Sequence, residues 1–286
     1  MHTRRIGDLA VSAIGLGGMP MSIEGRPEEA RSIATVHAAL DAGITLFDTA
    51  DAYHRDADEV GHNESLIAKA LAEYDGDTDD VLIATKGGHL RPGDGSWTLD
   101  GRPEYLVQAC EASLKRLGVE AIGLYQFHRP DPRVPYAESV GALRTLLDAG
   151  KIRRAGVSNV NAQQIRQAGQ ILGEDLVSVQ NQFSPAFRGS EPELQLCDEL
   201  GLAFLPWSPL GGIGNAYGLG SRFHVFAEVA REHGASPQQV CLAWLLAKSP
   251  VVLPIPGSSR PETIRDSAAA AELRLSEREL LRLDTA

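Results

Sequence analysis

The side chains best suited to chemistry fall in four short stretches: Phe47-Asp48-Thr49-Ala50-Asp51-Ala52-Tyr53, Ala84-Thr85-Lys86, Gln126-Phe127-His128 and Gly156-Val157-Ser158-Asn159. Each lies at or just past the end of a short apolar run. Together they supply a carboxylate, a phenol, an amine, an imidazole and a side-chain amide. A phenol whose pKa is lowered by a neighbouring ammonium can protonate a carbonyl oxygen, the proton half of carbonyl reduction. If the runs are parallel strands of one barrel, these groups converge on one mouth.

Taken singly, each residue also has a plainer role. Asp48 can cap the next element, Tyr53 can be a loop aromatic, and a lone His128 is more often structural than catalytic. Lys86 is harder to set aside, because an amine at a buried strand end calls for a carboxylate partner, and Asp48 is the obvious one. Polar residues in this position on successive strands shift the reading towards a shared site.

Strand-like and helix-like segments alternate along the whole chain, as positioning such a site requires. Thr3 to Ile6 and Leu9 to Ser12 flank Gly7-Asp8 as a small hairpin. Ala13 to Gly18 reads as the first barrel strand, followed by a helix that opens at Pro27 and closes at Gly43. The remaining strands are expected at Ile44–Phe47, Val81–Thr85, Ile122–Phe127, Arg154–Val157, Leu176–Val179, Leu202–Leu205 and Val251–Leu253. Helices are expected at Glu64–Glu73, Pro103–Leu117, Tyr136–Ala149, Ala162–Leu172, Glu193–Leu200, Phe223–Glu232, Pro237–Ala247, Pro261–Ala271 and Glu277–Leu283. About eight such units, joined by right-handed crossovers, predict a (β/α)8 barrel spanning residues 1–286 as a single domain, with an N-terminal β-hairpin. An open dinucleotide-binding sheet is the rival, but Gly15-Leu16-Gly17-Gly18 runs into Met19-Pro20 rather than into a helix start.

Composition narrows the function. The chain has 286 residues, 43% of them hydrophobic, and a net charge of −11, which argues against nucleic acid or an anionic membrane surface as partner. No apolar run approaches the length of a membrane span, and no apolar segment follows Arg4-Arg5 as in a signal peptide. Cys110, Cys197 and Cys241 are scattered and odd in number, as expected of reduced thiols. A cytoplasmic location is expected; oligomeric state is left open.

The ordered set of motifs resembles the aldo-keto reductase family over essentially the full length. Asp48, Tyr53, Lys86 and His128 match its catalytic tetrad in order and spacing. Gly156-Val157-Ser158-Asn159 is similar to its strand-five signature and Gln180-Asn181-Gln182-Phe183-Ser184 to its strand-six one. Pro206-Trp207-Ser208-Pro209-Leu210-Gly211 and Ile255-Pro256-Gly257-Ser258 are similar to the strand-seven and strand-eight motifs.

The resemblance implies a nicotinamide cofactor lying across the barrel mouth and a small carbonyl substrate. Hydride would pass to the carbonyl carbon while Tyr53 protonates the oxygen, with Lys86 lowering the phenol pKa, Asp48 holding Lys86, and His128 orienting the carbonyl as a neutral ring. Ser158, Asn159 and Gln180 would fix the carboxamide, and Trp207 would stack on the nicotinamide where relatives have tyrosine. Cofactor contacts are implied also for Gly17, Gly18, Met19, Asp48, Ser208, Pro209, Leu210, Gly212, Gly257, Ser258, Ser259, Arg260, Thr263 and Asp266. The run Gly211-Gly212-Ile213-Gly214-Asn215 reads as a loop whose N–H groups can approach the pyrophosphate. Gly257 and Thr263 stand where many relatives have the lysine and arginine that grip the 2′-phosphate. Arg260 is a candidate replacement or a solvated loop residue; NADPH is favoured, with NADH the other candidate.

Substrate contacts are expected from Trp97, His89, His128 and Tyr53, with Leu90 also able to wall an apolar pocket. His54 and His62 are read as solvent-facing loop residues. The chain ends soon after its last helix, so a comparatively open site and small aldehyde substrates are expected. His128-Arg129-Pro130-Asp131-Pro132 also resembles the channel β-subunit branch, whose members bind NADPH as partner proteins; a redox-sensing module with little turnover is the alternative. A metal-dependent barrel hydrolase is a third reading, opposed by the absence of clustered ligands; no metal is expected.

Overall fold

A computed structural model describes all residues from Met1 to Ala286. The hairpin forms first, from β1 (Thr3–Ile6) and β2 (Leu9–Ser12) paired antiparallel. Gly7 takes φ 58° in its turn. Then come β3 (Leu16–Gly17), α1 (Glu29–Asp41), β4 (Leu46–Asp48), α2 (His62–Ala72) and β5 (Leu82–Gly87). A second hairpin, β6 (His89–Leu90) and β7 (Thr98–Leu99), follows and precedes α3 (Pro103–Leu117). Next are β8 (Leu124–Phe127), α4 (Tyr136–Asp148), β9 (Ala155–Ser158), α5 (Ala162–Leu172), β10 (Leu176–Gln180), α6 (Glu191–Leu200) and β11 (Ala203–Phe204). The chain closes with α7 (Leu219–Arg222), α8 (His224–His233), α9 (Pro237–Lys248), α10 (Pro261–Ala269) and α11 (Glu277–Asp284).

Seven parallel strands run in the order β11-β10-β9-β8-β5-β4-β3, and the sheet curls into the expected (β/α)8 barrel. The expected eighth strand is present as a bridge rather than a full ladder. Val252 pairs with Phe204, and Gly17 with Gly257. Leu253 N donates to Phe204 O at 2.9 Å, while Gly15 N and Gly17 N donate to Pro254 O and Pro256 O, both at 2.9 Å. Pro254 and Pro256 have no N–H to return, so the bond back towards β3 comes only further along, from Ser258 N to Gly17 O at 3.3 Å.

Strand alternation sorts the side chains. Phe47, Tyr125, Phe127, Val157 and Val179 point outward and pack with the helices. Leu46, Leu82, Leu124, Val177, Leu205 and Leu253 point inward and form an apolar plug low in the barrel, to which the hairpin adds Ile6 and Val11. Towards the C-terminal rim the inward faces present Asp48, Lys86, Gln126, Ser158 and Gln180. Register sets their levels: Lys86 stands opposite Gln126, and Ser158 opposite Gln180.

The hairpin is locked to the lower end. Arg4 Nη1 donates to Ser249 O at 2.5 Å and Val252 O at 2.7 Å, and Nη2 to Leu246 O at 2.6 Å. Those carbonyls belong to the end of α9 and the chain leading into the seam, where helix geometry leaves acceptors free.

Candidate active site

The four tetrad candidates meet at the C-terminal rim. Lys86, from β5, is fully buried; its Nζ donates to Asp48 Oδ1 at 2.7 Å, Thr49 O at 2.8 Å and Tyr53 Oη at 3.2 Å. Asp48, at the end of β4, receives a second bond from Gln180 Nε2 at 2.7 Å. The turn after β4 carries Tyr53 back over this base, held where Asn63 N donates to Tyr53 O at 3.2 Å. The His128 ring meets the Tyr53 ring edge-on at 5.8 Å between centroids.

Electrostatics corrects one expectation. Burial raises the Tyr53 phenol above its ordinary value, outweighing the lowering by Lys86, and the Asp48 carboxylate adds to the rise. Burial alone would depress Lys86, but Asp48 and Tyr53 more than offset it, so the ammonium stays charged. Lys86 does lower Tyr53, but full burial outweighs it, which is why the expected net lowering is absent. Because Lys86 donates to Oη, the phenol keeps its own proton for an acceptor in the cavity. Burial, with Lys86 next, holds His128 well below its usual range, so the ring is neutral as expected, and Nδ1 is buried without a partner.

Above the base opens a cavity of about 580 Å³. Its apolar wall includes Trp97, Leu99, Trp207, Leu210 and Ile213. On one side His89 stacks on Trp97 at 4.5 Å and meets His128 edge-on at 4.9 Å; burial lowers His89 to about 4, so it too is neutral. Arg91 backs Trp97 at 4.7 Å from the ring.

On the other side Ser158 Oγ donates to Gln180 O at 2.6 Å. Asn159 Nδ2 donates to His128 O and Ser158 Oγ, both at 3.0 Å. Only two non-glycine residues have left-handed backbone, Asn159 at φ 59° and Ser208 at φ 49°, and both line this cavity. Such strain persists where surrounding structure imposes it, commonly at ligand sites. Gly211 and Gly212, at φ 86° and 94°, require glycine; a Cβ on Gly212 would meet only Ser208 Oγ, at 3.9 Å, so this backbone is open to a ligand.

Of the predicted site residues, Gly17, Met19, Asp48, Tyr53, His89 and Trp97 line the cavity, as do His128, Ser158, Asn159, Gln180, Trp207, Ser208, Pro209, Leu210, Gly212 and Gly257. Lys86 lies behind Tyr53. Leu90 is off the wall, and Leu99, across the second hairpin, takes the place foreseen for it. Gly18 is absent from the lining: a Cβ there would sit 2.3 Å from Asn63 Oδ1, so its smallness serves packing. Ser258, Ser259, Arg260, Thr263 and Asp266 lie outside the lining. Ser258 Oγ bonds Arg260 O at 3.0 Å, and exposed Arg260 is 3.7 Å from Glu262. Asp266 accepts from Ser236 Oγ at 2.7 Å and Gln239 Nε2 at 2.6 Å, which ties α10 to α9. His54 is buried rather than solvent-facing, with Nδ1 2.7 Å from Asp56 O, and half-buried His62 bonds Ser22 Oγ at 2.8 Å. Pro20, Leu99, Arg129, Ile213, Ala216 and Ile255 also line the cavity. Arg129 carried a signal as a cation next to His128, and Ile213 and Ile255 sit inside the glycine-rich loop and the strand-eight motif; Pro20, Leu99 and Ala216 are residues that only the fold brings near.

A model of the aldo/keto reductase family matches residues 13–286. An uncharacterized oxidoreductase of Schizosaccharomyces pombe is 35% identical, over 99% of this chain and 89% of that protein. The chain belongs to the aldo/keto reductase family. A 6-dehydroglucose reductase of Novosphingobium aromaticivorans is 36% identical, over 93% of this chain and 88% of the relative. The crystal structure of an aldo/keto reductase from Klebsiella pneumoniae in complex with NADP and acetate superposes with TM-score 0.81 at 29% identity, covering 99% of this chain and 94% of that one. Glycerol dehydrogenase from Gluconobacter oxydans gives TM-score 0.84 at 27% identity, with the same coverage. Family membership makes this barrel mouth that of an oxidoreductase. No helix is long and apolar enough to cross a membrane, and no group of three or more His, Cys, Asp or Glu side chains is placed to hold a metal.

Proposed function

We propose that the protein is an NADPH-dependent carbonyl reductase in which Tyr53 is the general acid. The observation that carries this reading is the meeting of Lys86, Asp48 and Tyr53 within hydrogen-bonding distance beneath a cavity that His128 also lines.

The residues present fit a nicotinamide dinucleotide. Gln180, Asn159 and Trp207 line the cavity, and the backbone at Gly212 is open towards it. The solved family members from Klebsiella pneumoniae were obtained with NADP and with NADPH. Ser158, Asn159, Gln180 and Trp207 would hold the nicotinamide, Gly17 and Met19 would flank the cofactor, and Ser208 to Gly212 would approach its phosphates. At the adenosine end Arg260 is the cationic candidate for the 2′-phosphate, because Glu262 at 3.7 Å holds it only loosely. The cofactor, when bound, supplies hydride.

His128, a neutral ring on the cavity wall, orients the carbonyl oxygen towards Tyr53. Tyr53 releases its proton to that oxygen, and the resulting phenolate is stabilised by Lys86 Nζ at 3.2 Å. Asp48 keeps Lys86 in place and balances its charge, while Gln180 holds Asp48 from the far side. Leu99, Ile213 and Trp97 give the mouth above the reacting face an apolar wall.

Mixing the protein with NADPH and a panel of small aldehydes, with loss of the reduced-cofactor absorbance as readout, tests the proposal. Loss matched by alcohol formation and unaffected by chelator is expected. Tight NADPH binding without turnover would favour a redox-sensing role and contradict the proposal.

A further inference from the structure

Arg129 is the one lysine or arginine among the residues lining the cavity, and Asp48, the one acid there, is already paired with Lys86. Arg129 has no carboxylate within ion-pair distance. Its single side-chain bond runs from Nη2 to Asn159 Oδ1 at 3.1 Å, and its Nε is buried with no partner. Other half-buried or buried guanidiniums in this chain are better met. Arg116 meets Glu64 at 2.5 Å, Arg26 meets Glu59 at 2.7 Å, and Arg91 reaches Glu24 although its Nε is also without a partner. Arg4 and Arg188, which lack a carboxylate, each bond several backbone carbonyls. A desolvated, unpaired guanidinium is costly to keep and is satisfied best by a planar anion that bridges its N–H groups. In a chain of net charge −11, a cation left free at this place marks a site for an external anion.

Its position gives that anion room. Arg129 follows His128 in the chain and lines both the main cavity and an adjoining one of about 440 Å³, together with Asn159 and Trp207. The second cavity is polar, with Asn161, Gln164 and Gln182 in its wall together with one acid, Glu193, which forms no ion pair with Arg129. A substrate whose carbonyl faces Tyr53 and His128 can therefore extend a polar end past Arg129.

We infer that Arg129 is a specificity-determining residue that binds a carboxylate on the substrate, so that the preferred substrates are carbonyl compounds bearing an acid group. This inference rests on the reductase reading of the same site. The carboxylate would take the Nη N–H groups of Arg129 that Asn159 leaves free, with Nε buried behind them. The guanidinium stays charged at neutral pH despite its burial.

The test compares 4-carboxybenzaldehyde with its neutral methyl ester, which is similar in shape and similarly activated. In the native protein kcat/KM is expected to favour the acid by about tenfold or more, since charge-assisted bonds to carboxylate are among the stronger ones. Arg129→Gln should collapse that ratio towards one, mainly through KM of the acid, and Arg129→Lys, which keeps charge without the fork, should recover part of it. A native protein with no preference for the acid overturns the inference. So does a ratio that Arg129→Gln leaves unchanged: if Arg129 acts only by positioning Asn159, or serves the cofactor, both substrates fall together. If neither compound is reduced, the reductase reading fails, and calorimetric titration with terephthalate decides the anion site separately. Binding lost in Arg129→Gln upholds the site; no binding, or binding unchanged by the substitution, removes it.

Discussion

The two ends of the barrel have opposite economies of polar groups. At the lower end Arg4 is spent on three carbonyls, Arg154 pairs with Asp8 at 2.6 Å, and Ser12 and Thr45 bond each other at 2.9 Å. At the mouth, His128 Nδ1, Arg129 Nε and Trp207 Nε1 are buried without partners, and Asn159 and Ser208 hold strained backbone. The hairpin end is closed largely by the chain itself, with His2 Nδ1 buried there without a partner; the mouth gathers its unmet groups and strained backbone around the cavity. The Lys86–Asp48–Gln180 layer lies between them and resembles the lower end: Lys86 Nζ makes three bonds and each Asp48 carboxylate oxygen accepts one. Rigid support from below and open valence above is what pre-organised chemistry requires.

Substitutions at the two ends should therefore separate activity from stability. Lys86→Met lies at the junction and is expected to harm both most. It leaves Asp48 buried without its counter-ion, at a cost of about 3–5 kcal/mol, and removes the charge that stabilises the phenolate. Denaturant unfolding together with kcat measures the two effects. A stable variant with native turnover would erase the distinction between the layer and the mouth.

Arg4→Ala should act on stability alone. Loss of its bonds to Leu246, Ser249 and Val252 is expected to cost about 3 kcal/mol, read as a lower denaturation midpoint, while KM for aldehyde is unchanged below the transition. A raised KM would mean that the hairpin end and the mouth are coupled.

The pH profile sharpens the comparison. Burial raises the Tyr53 pKa above its ordinary value of about 10. The protonated acid, needed for reduction, then persists throughout the neutral and mildly alkaline range, so kcat for reduction should be flat there. Alcohol oxidation needs the phenolate and should climb with pH, still rising beyond pH of about 10. An oxidation profile that levels near neutrality would show that Lys86 lowers the phenol after all.

Smaller effects are expected from Asn159→Gly and Arg260→Ala. The first relieves left-handed strain and should leave stability unchanged or higher by about 1 kcal/mol, while raising KM for NADPH. A loss of stability would show that Asn159 serves the fold. The second should weaken NADPH by a few-fold, about 1 kcal/mol for an exposed pair, and leave NADH unaffected. Equal loss for both cofactors would remove Arg260 from the 2′-phosphate.

Much of this architecture was legible because local signals agreed. Pro103 at the start and Gly118 beyond the end bound α3, and Asn161 with Gln164 forms the cap that starts α5. Period-two alternation put Asp48 and Lys86 on inward faces, and parallel pairing at strand ends made their meeting predictable. What stayed hidden depends on distance in sequence or on degree of burial. Pro254 and Pro256 thin the eighth strand, and the pairing of His89 with Leu99 turned an expected loop into a hairpin. Asp266 looked like a cofactor contact because nothing nearby in sequence reveals Ser236 and Gln239 as its partners. The direction of the Tyr53 shift was misread because type and spacing identify Lys86 as a neighbour but do not weigh its charge against full burial.

The central claim is that Tyr53 delivers the proton at a site whose cofactor grip does not depend on it. Measuring NADPH dissociation constants and aldehyde turnover side by side for native protein and Tyr53→Phe tests this most directly. The account predicts nearly equal affinity and a fall in kcat of about 10²–10⁴-fold. Turnover at the native rate in Tyr53→Phe would contradict it.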